Sequence, residues 1–278
     1  MPVAISVLLL TLDEAANLPR CLDALAWCDD VVVLDSFSTD QTVELARARG
    51  ARVEQRAFDS FAGQRNHGLE TIEFRHPWVL HVDADEVVTP ELVDHMARAI
   101  TDDHFDAYRI PSRTMFRGRW LRFSGMYPSY QVRLTRRGAF RFRQEGHGQK
   151  EDVAVERIGT VTTPYTHYAF SRGLHDWIAK HNRYSLQEAE EAVKRGHDRV
   201  RWRHVFARDP YVRRQTLRRL GQRVPCRPLV RFLYMYGFRL GFLDGRAGLT
   251  YCLLLASYEL MIEVKVAELR RRNAGLEP

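Results

Sequence analysis

Hydrophobic positions along the first ninety residues follow two alternating periods. "AISVLLLT" and "DVVVLDS" are short leucine-rich or β-branched runs, the pattern of strands buried on both faces. Between them, "EAANLPRCLDALAW" repeats its apolar residues at helical spacing through Leu18, Leu22 and Leu25. The three segments predict a β-α-β unit. A second helix is expected from Thr39 or Asp40, good N-cap residues ahead of "QTVELARARG", with Gly50 placed to end it. "ARVEQRAF" then reads as a third strand, "FAGQRNHGLETI" as a third helix and "WVLHVD" as a fourth strand. Such alternation predicts an α/β fold with a parallel, doubly wound sheet, in which ligands collect at the carboxyl ends of the strands. Polar clusters fall there: "TLDEAAN" after strand one, "DSFSTD" after strand two and "DADE" after strand four.

The texture changes near Ala107. Short strand-like pieces rich in arginine and aromatics, separated by turn signals, predict an antiparallel, substrate-facing addition. A long polar helix is expected over Leu174–Arg195, and the basic density then rises: Arg195–Arg231 holds 12 arginines against two acids. "PLVRFLYMYGFRLGFLDG" and "GLTYCLLLASYELMIEV" follow, the second with Leu249, Leu253, Ala256, Leu260 and Val264 on one helical stripe. The expected organisation is a domain over 1–195, in halves of about 1–106 and 107–195, followed by a basic, amphipathic helical region over 196–278.

Composition narrows the partners. With 278 residues, 45% of them apolar, the chain can bury a substantial core. Its net charge of +7 and pI near 9.4 favour phosphate-bearing ligands, anionic lipid or nucleic acid. Cys21, Cys28, Cys226 and Cys252 form no CxxC pair and have no histidine at metal-site spacing, which argues against zinc and a disulfide framework. "VAISVLLLTL" lacks a basic leader and runs into Asp13 and Glu14, so it is expected to be a first core strand and not a signal peptide. No uncharged run reaches the ~20 residues of a membrane-spanning helix.

The chemistry concentrates in "WVLHVDADEVV". Residues i and i+2 of a strand project to one side, so Asp83 and Asp85 are expected to aim both carboxylates at one point beyond the strand end. Two like charges there require a cation, and hard oxygen ligands suit Mg²⁺ or Mn²⁺, which fill their remaining positions with water and substrate phosphates. Thr89 with Pro90 makes the N-cap of the next helix and leaves the aspartates free of that duty. The same letters also satisfy the D-x-D-x-[TV] pattern of aspartate-nucleophile phosphatases of the haloacid dehalogenase type, although there the motif ends the first strand.

Taken together, "SVLLLTLDEAANLPRCLDAL", "DDVVVLDSFSTDQTVELA", "FAGQRNHGLE" and "WVLHVDADEVVTPEL" resemble family 2 glycosyltransferases of the GT-A fold. Within them the chain is similar to bacterial lipopolysaccharide-core and surface-polysaccharide glucosyltransferases, over roughly residues 3–195. The resemblance implies inverting transfer of a hexose from a nucleotide sugar, UDP-linked, with a divalent cation as cofactor. Thr11 and Glu14 would contact the nucleotide, Asp35 would accept hydrogen bonds from the base or ribose, and Arg65 and Asn66 would face the diphosphate. Asp83 would sit near ribose and metal, and Asp85 would bind the metal, with His167 as a further metal or diphosphate ligand. Tyr127 and Arg133 fall where the family places donor or acceptor contacts. The family usually has asparagine where this chain has Asp13. Close relatives draw the catalytic base from a His-Glu pair; here the stretch is "RQEGHGQKED", leaving Glu145, Glu151 and His147 as candidates.

The arginine-rich tail lacks any nucleic-acid-binding signature, so no nucleic-acid partner is expected. Polybasic sequence beside amphipathic helices instead predicts attachment to an anionic membrane surface, on the cytoplasmic face of the inner membrane. That location suits a saccharide or lipid-linked saccharide acceptor. The oligomeric state has no sequence signal. Outside the transferase reading stand a nucleotide-binding or phosphatase-type hydrolase with a D-x-D nucleophile and a non-enzymatic membrane or nucleic-acid adaptor.

Overall fold

A computed structural model of the chain describes residues 3–145, 148–151, 154–194 and 226–277. The side chains of residues 144, 145 and 148–151 lie outside that description, as does the arginine-rich segment 195–225. The described residues divide into two compact units, one formed by Met1–Leu121 with Tyr127–Leu174, the other by Arg122–Met126 with His175–Pro278. The sequence expectation put the division at residue 195.

The first unit opens as the alternating pattern predicts: β1 (Ile5–Thr11), α1 (Leu18–Asp23), β2 (Val31–Asp35), α2 (Thr42–Ala48), β3 (Arg52–Gln55), α3 (Phe61–Thr71) and β4 (Trp78–Asp83). It continues with β5 (Glu86–Val87), α4 (Pro90–Ala99), β6 (Ala107–Phe116), β7 (Arg119–Trp120), β8 (Ser129–Arg136), a hairpin of β9 (Phe142–Glu145) and β10 (Gly148–Glu151), β11 (Ile158–Thr160) and β12 (Tyr165–His167). The main sheet runs β3-β2-β1-β4-β8-β6-β12-β5. Its first four strands are parallel, β8 is antiparallel to both β4 and β6, and β12 runs parallel to β6. Chain order reverses direction between β1 and β4, the switch point where a crevice opens at the carboxyl ends.

Several elements are shorter than the pattern implies. Helix α1 starts only at Leu18, because Glu14 to Asn17 form a turn in which the Asn17 and Leu18 amides both donate to the Glu14 carbonyl. Strand β3 stops at Gln55, since its side chains are largely exposed and nothing apolar holds the rest of "ARVEQRAF" in the sheet. Helix α2 starts at Thr42, so its N-cap position falls on Gln41, whose side chain makes no capping bond, and not on the expected Thr39 or Asp40; Asp40, one residue earlier, accepts from the Thr42 amide at 3.0 Å. Thr89 caps α4 as expected, accepting from Leu92 N at 3.3 Å with Pro90 in the first turn.

One core lies between the sheet and α1, α2 and α4, built on Val7, Leu9, Leu18, Leu22, Leu80 and Leu92. On the other face Leu8, Val32, Leu34, Ile72 and Val79 pack beneath α3. Gly68 permits that approach: a Cβ there would stand 2.5 Å from a Leu8 methyl.

Asp30 ties the opposite edge of the sheet together. Its buried carboxylate accepts from Ser6 Oγ at 2.6 Å, Arg75 N at 2.7 Å and Arg52 Nη2 at 2.8 Å. Burial opposes its ionisation, but these donors outweigh it and hold the pKa below the usual carboxylate value. A depressed carboxylate stabilises the fold above its unfolded pKa and loses that contribution as pH falls through the folded one, so the acid limb belongs below about pH 4. Asp30→Asn is expected to cost about 2 kcal/mol at pH 7 in urea melts, the scale of charge-assisted hydrogen bonds, and to narrow that difference at pH 3. A constant difference between the two pH values would refute the assignment.

The second unit holds α5 (Gly173–Lys194), α6 (Arg227–Phe232), a π-helical turn over Leu233–Phe238 and the long helix α7 (Gly245–Asn273). Lys265 on α7 donates to the Asn182 carbonyl and side chain and to Ser185 on α5, at 2.7, 2.6 and 2.7 Å. The buried Asp244 gathers the short segment 122–124, accepting from Arg122 N, Phe123 N, Ser124 N and Ser124 Oγ at 3.2, 3.0, 2.8 and 2.7 Å. The stretch Gly241–Asn273 is long and apolar enough to cross a bilayer by length and composition, although Glu259 and Glu263 interrupt it.

Candidate active site

The site gathers at the carboxyl edge of the parallel strands. Thr11 ends β1 and Asp35 ends β2, paired across the ladder. Asp35 is fully buried, and its Oδ1 accepts from Thr11 Oγ1 at 2.9 Å and from the Ser38 hydroxyl. Its Oδ2 accepts from Ser38 N at 2.8 Å and Gln55 Nε2 at 3.1 Å. Burial would raise its pKa, but those donors lower it. Both oxygens are therefore engaged in bracing β1, β3 and the turn after β2, where the sequence suggests acceptors held open for a ligand.

Asp13 takes up the left-handed conformation, φ 53°, which asparagine and aspartate tolerate best among residues with a side chain. Its amide donates to Ser38 Oγ at 2.8 Å while its carboxylate accepts from Thr39 N at 2.7 Å. The departure from asparagine thus keeps both the backbone geometry and an acceptor. Beside it, Glu14 donates its amide to Thr42 Oγ1 at 2.8 Å, accepts from Asn17 Nδ2 at 2.7 Å and lies 3.5 Å from Arg172.

At the end of β4 the geometry differs from strand alternation. The strand stops at Asp83 and a turn carries Ala84 and Asp85, and the two carboxylates take different partners. Asp83 is gripped from two sides, by Arg65 Nη2 at 2.8 Å and Arg133 Nη2 at 2.9 Å. Asp85 Oδ2 faces His167 Nε2 at 3.2 Å. Glu86 is buried, paired with Arg133 and accepting the Asp83 amide at 3.0 Å. The Tyr165 hydroxyl, 3.4 Å from Arg133, completes the cluster.

Charge in this cluster is distributed unevenly. Burial works against ionised Asp83, yet the two guanidiniums hold its pKa far below the usual carboxylate range. Burial pushes the Glu86 carboxyl up, with Arg133 opposing and Asp83 reinforcing the shift. For His167, burial disfavours the charged ring, but the hydrogen bond and charge of Asp85 raise its pKa above the ordinary value. His81, buried behind the site and 2.9 Å from Thr135 Oγ1, is driven well below its ordinary value by burial and the neighbouring arginines, and stays neutral. Among the described residues, Arg65 Nε and Arg133 Nη1 are buried donors without a hydrogen-bond partner.

Asp85 and His167, 3.2 Å apart, are residues that could contribute to holding a divalent cation. Among the described residues no group of three or more His, Cys, Asp or Glu side chains could hold a metal ion. One carboxylate and one imidazole nonetheless suit Mg²⁺ or Mn²⁺, which draw further ligands from substrate phosphates and water. Asp83 is occupied by two arginines.

Asn66 does not join this cluster. Its amide donates to the Phe142 carbonyl at 2.7 Å and accepts the Phe142 amide at 2.8 Å, clamping the start of β9. That strand leads to Glu145, which pairs with Gly148, while Glu151 pairs with Phe142. The side chains of Glu145 and Glu151, and all of His147, lie outside the described residues. Arg133 as the second clamp of Asp83 carries no local signal in the sequence, standing 50 positions away on an antiparallel strand. The same holds for Arg20, stacked 3.7 Å over the Tyr168 ring.

A family model described as "Glycosyl transferase family 2" matches residues 6–159. The lipopolysaccharide core biosynthesis glycosyltransferase LpsC of Rhizobium meliloti is 24% identical over 259 residues, covering 91% of this chain and 90% of its own. An uncharacterised glycosyltransferase of Rickettsia bellii is 29% identical over 206 residues, 69% of this chain and 68% of its own. Among solved structures, a mannosyltransferase from Pyrobaculum calidifontis in complex with GDP-Man and Mn²⁺ superposes with a TM-score of 0.51 at 18% identity, covering 95% of this chain and 87% of that one.

Proposed function

The chain belongs to glycosyl transferase family 2 and has the GT-A fold, and from that premise we propose that it is a metal-dependent, inverting enzyme that moves a hexose from a UDP-sugar to a saccharide of lipopolysaccharide or another lipid-linked surface glycan. The carrying observation is the Asp85–His167 pair beside an arginine-clamped Asp83, at the carboxyl edge where strand order reverses. The kinship with LpsC supports the acceptor class. The phosphatase reading loses its ground, because D-x-D ends the fourth strand of the sheet, behind three parallel ones.

In this proposal Thr11 and Glu14 line the nucleotide cradle, which Asp35 keeps in shape through its four hydrogen bonds. Arg65 and Asp83 flank the diphosphate and ribose, and Asp85 and His167 would hold the cation. That cation would act as a Lewis acid, neutralising charge on the departing nucleotide. Arg65 and Arg133 add fixed positive charge behind the same point without needing to reorganise. A carboxylate from the β9–β10 hairpin, Glu145 or Glu151, with His147 as the remaining candidate, takes the proton of the acceptor hydroxyl as it attacks. Asn66 contributes by anchoring that hairpin at Phe142. Titration with UDP, with and without Mn²⁺, tests the donor half: metal-dependent binding is expected, and its absence refutes the reading. For the base, Glu145→Gln is compared with Glu151→Gln; turnover is lost in one with UDP binding intact, and full activity in both would exclude the pair.

We further propose attachment to the cytoplasmic face of a membrane through the apolar knuckle before α7. Leu233, Leu240, Phe242 and Leu243 are exposed there, and Phe238 is 78% exposed. Arg231, Arg239 and Arg246 punctuate the same stretch, downstream of the arginine-rich sequence. Apolar insertion flanked by basic residues is how peripheral segments hold anionic lipid. Phe238→Asp should reduce flotation with phosphatidylglycerol vesicles by about ten-fold, the worth of one buried aromatic side chain. Unchanged flotation would place the attachment elsewhere.

A further inference from the structure

Arg113 sits near the carboxyl end of β6, on the far side of β4 and β8 from the nucleotide cradle. In the ladder with β12 it stands opposite Thr166, and its neighbour Thr114 stands opposite His167. One strand spacing and one residue rise separate the Cα atoms of Arg113 and His167, roughly 6 Å. The arginine is therefore carried along the same edge as the Asp85–His167 pair, displaced away from the nucleotide, and because it is one residue out of register with His167 its side chain projects from the opposite face of the sheet.

Its surroundings lack a counter-charge. Arg109 on the same strand donates to Thr160 at 2.8 Å, and on β8 Arg133 and Arg136 pair with acids. Arg113 has no carboxylate partner among the described residues, and its Nε is buried without a hydrogen-bond acceptor. The guanidinium lies 4.9 Å from the centroid of Trp120, which the β6–β7 register places across from Met115. Trp120 in turn meets Tyr127 edge to face at 5.0 Å. A half-buried cation with an open donor is costly until an anion arrives, and a guanidinium on an aromatic face is oriented in advance to receive one in a forked geometry. The adjoining aromatic rings supply the flat apolar surface on which a pyranose ring packs.

We propose that Arg113, Trp120 and Tyr127 form an acceptor subsite for a saccharide bearing an oxyanion substituent, a phosphate or a carboxylate. Arg113 pairs with the oxyanion while the sugar ring rests against the aromatic pair. The proposal rests on the glycosyltransferase reading, and UDP affinity measured in parallel separates the failure of one from the failure of the other.

The test titrates the full chain, with UDP and Mn²⁺ present, against methyl glucoside, glucose 6-phosphate, glucuronate and inorganic phosphate. At least one charged sugar is expected to bind about ten-fold more tightly than methyl glucoside, the factor of a charge-assisted hydrogen bond, and the tighter of the two identifies the oxyanion. Arg113→Gln should erase that preference with UDP affinity unchanged, Arg113→Lys should retain part of it, and Trp120→Leu should weaken all three sugars alike. A purely structural arginine would lower thermal stability in Arg113→Gln and leave the preference intact. Equal binding of the three sugars by the wild type, an undiminished preference in Arg113→Gln, or inorganic phosphate binding as tightly as glucose 6-phosphate would each overturn the subsite.

Discussion

Asp85→Ala is expected to lower kcat/KM for sugar transfer by about 10³-fold, the effect of losing several kcal/mol of charge stabilisation on the leaving group. Asp85 is the carboxylate facing His167, whereas Asp83 is committed to Arg65 and Arg133. Removing Asp85 leaves one imidazole as the cation's protein ligand, too few for a hard cation that prefers oxygen. UDP binding by the variant should lose its dependence on Mn²⁺ while the melting temperature stays close to that of the wild type, since Asp85 is partly exposed. The contrast with Asp83→Asn is diagnostic. That substitution leaves two buried guanidiniums short of a counter-charge and should depress stability as well as activity. Full activity in Asp85→Ala would remove the metal from the proposal.

Arg133→Met should destabilise the first unit by roughly 3–5 kcal/mol, the usual loss when one member of a buried ion cluster is deleted. In a chain of this size that corresponds to a fall of about 10 °C in melting temperature. One guanidinium nitrogen reaches Asp83, Glu86 and the Tyr165 hydroxyl, so its loss strands a buried carboxyl already pushed upward by burial. Glu86→Gln in the same background should recover part of the deficit, because a neutral amide needs no counter-charge, and the double variant is expected to be less destabilised than the single effects added together. A melting temperature unchanged in Arg133→Met would show that the cluster contributes little to the fold.

The position of the candidate site in the fold was legible in the sequence, for reasons that can be traced to particular residues. Thr11, Asp35 and Asp83 were readable because each ends a buried parallel strand, and hydrophobic runs locate strand ends well. Thr89 and Pro90 were readable because an N-cap is a local device. The separate partners of Asp83 and Asp85 were not, since strand alternation holds only while the strand continues, and here a turn intervenes and the partners come from other elements. Asn66 looked like a ligand contact on its helix, yet its amide matches a backbone pair 76 residues away. Arg113 passed unnoticed among many arginines, because an unpaired charge is defined by the absence of neighbours, which no sequence window records.

By itself the sequence determined the order of strands and helices, the carboxyl-edge location of the polar clusters and the family, because periodicity, capping and turn chemistry act over a few residues. Tertiary structure alone decided which carboxylate is clamped by arginine and which is left to face a histidine. Those outcomes depend on Arg65, Arg133 and His167 arriving from three separate elements, and on the burial that makes each pairing strong enough to hold.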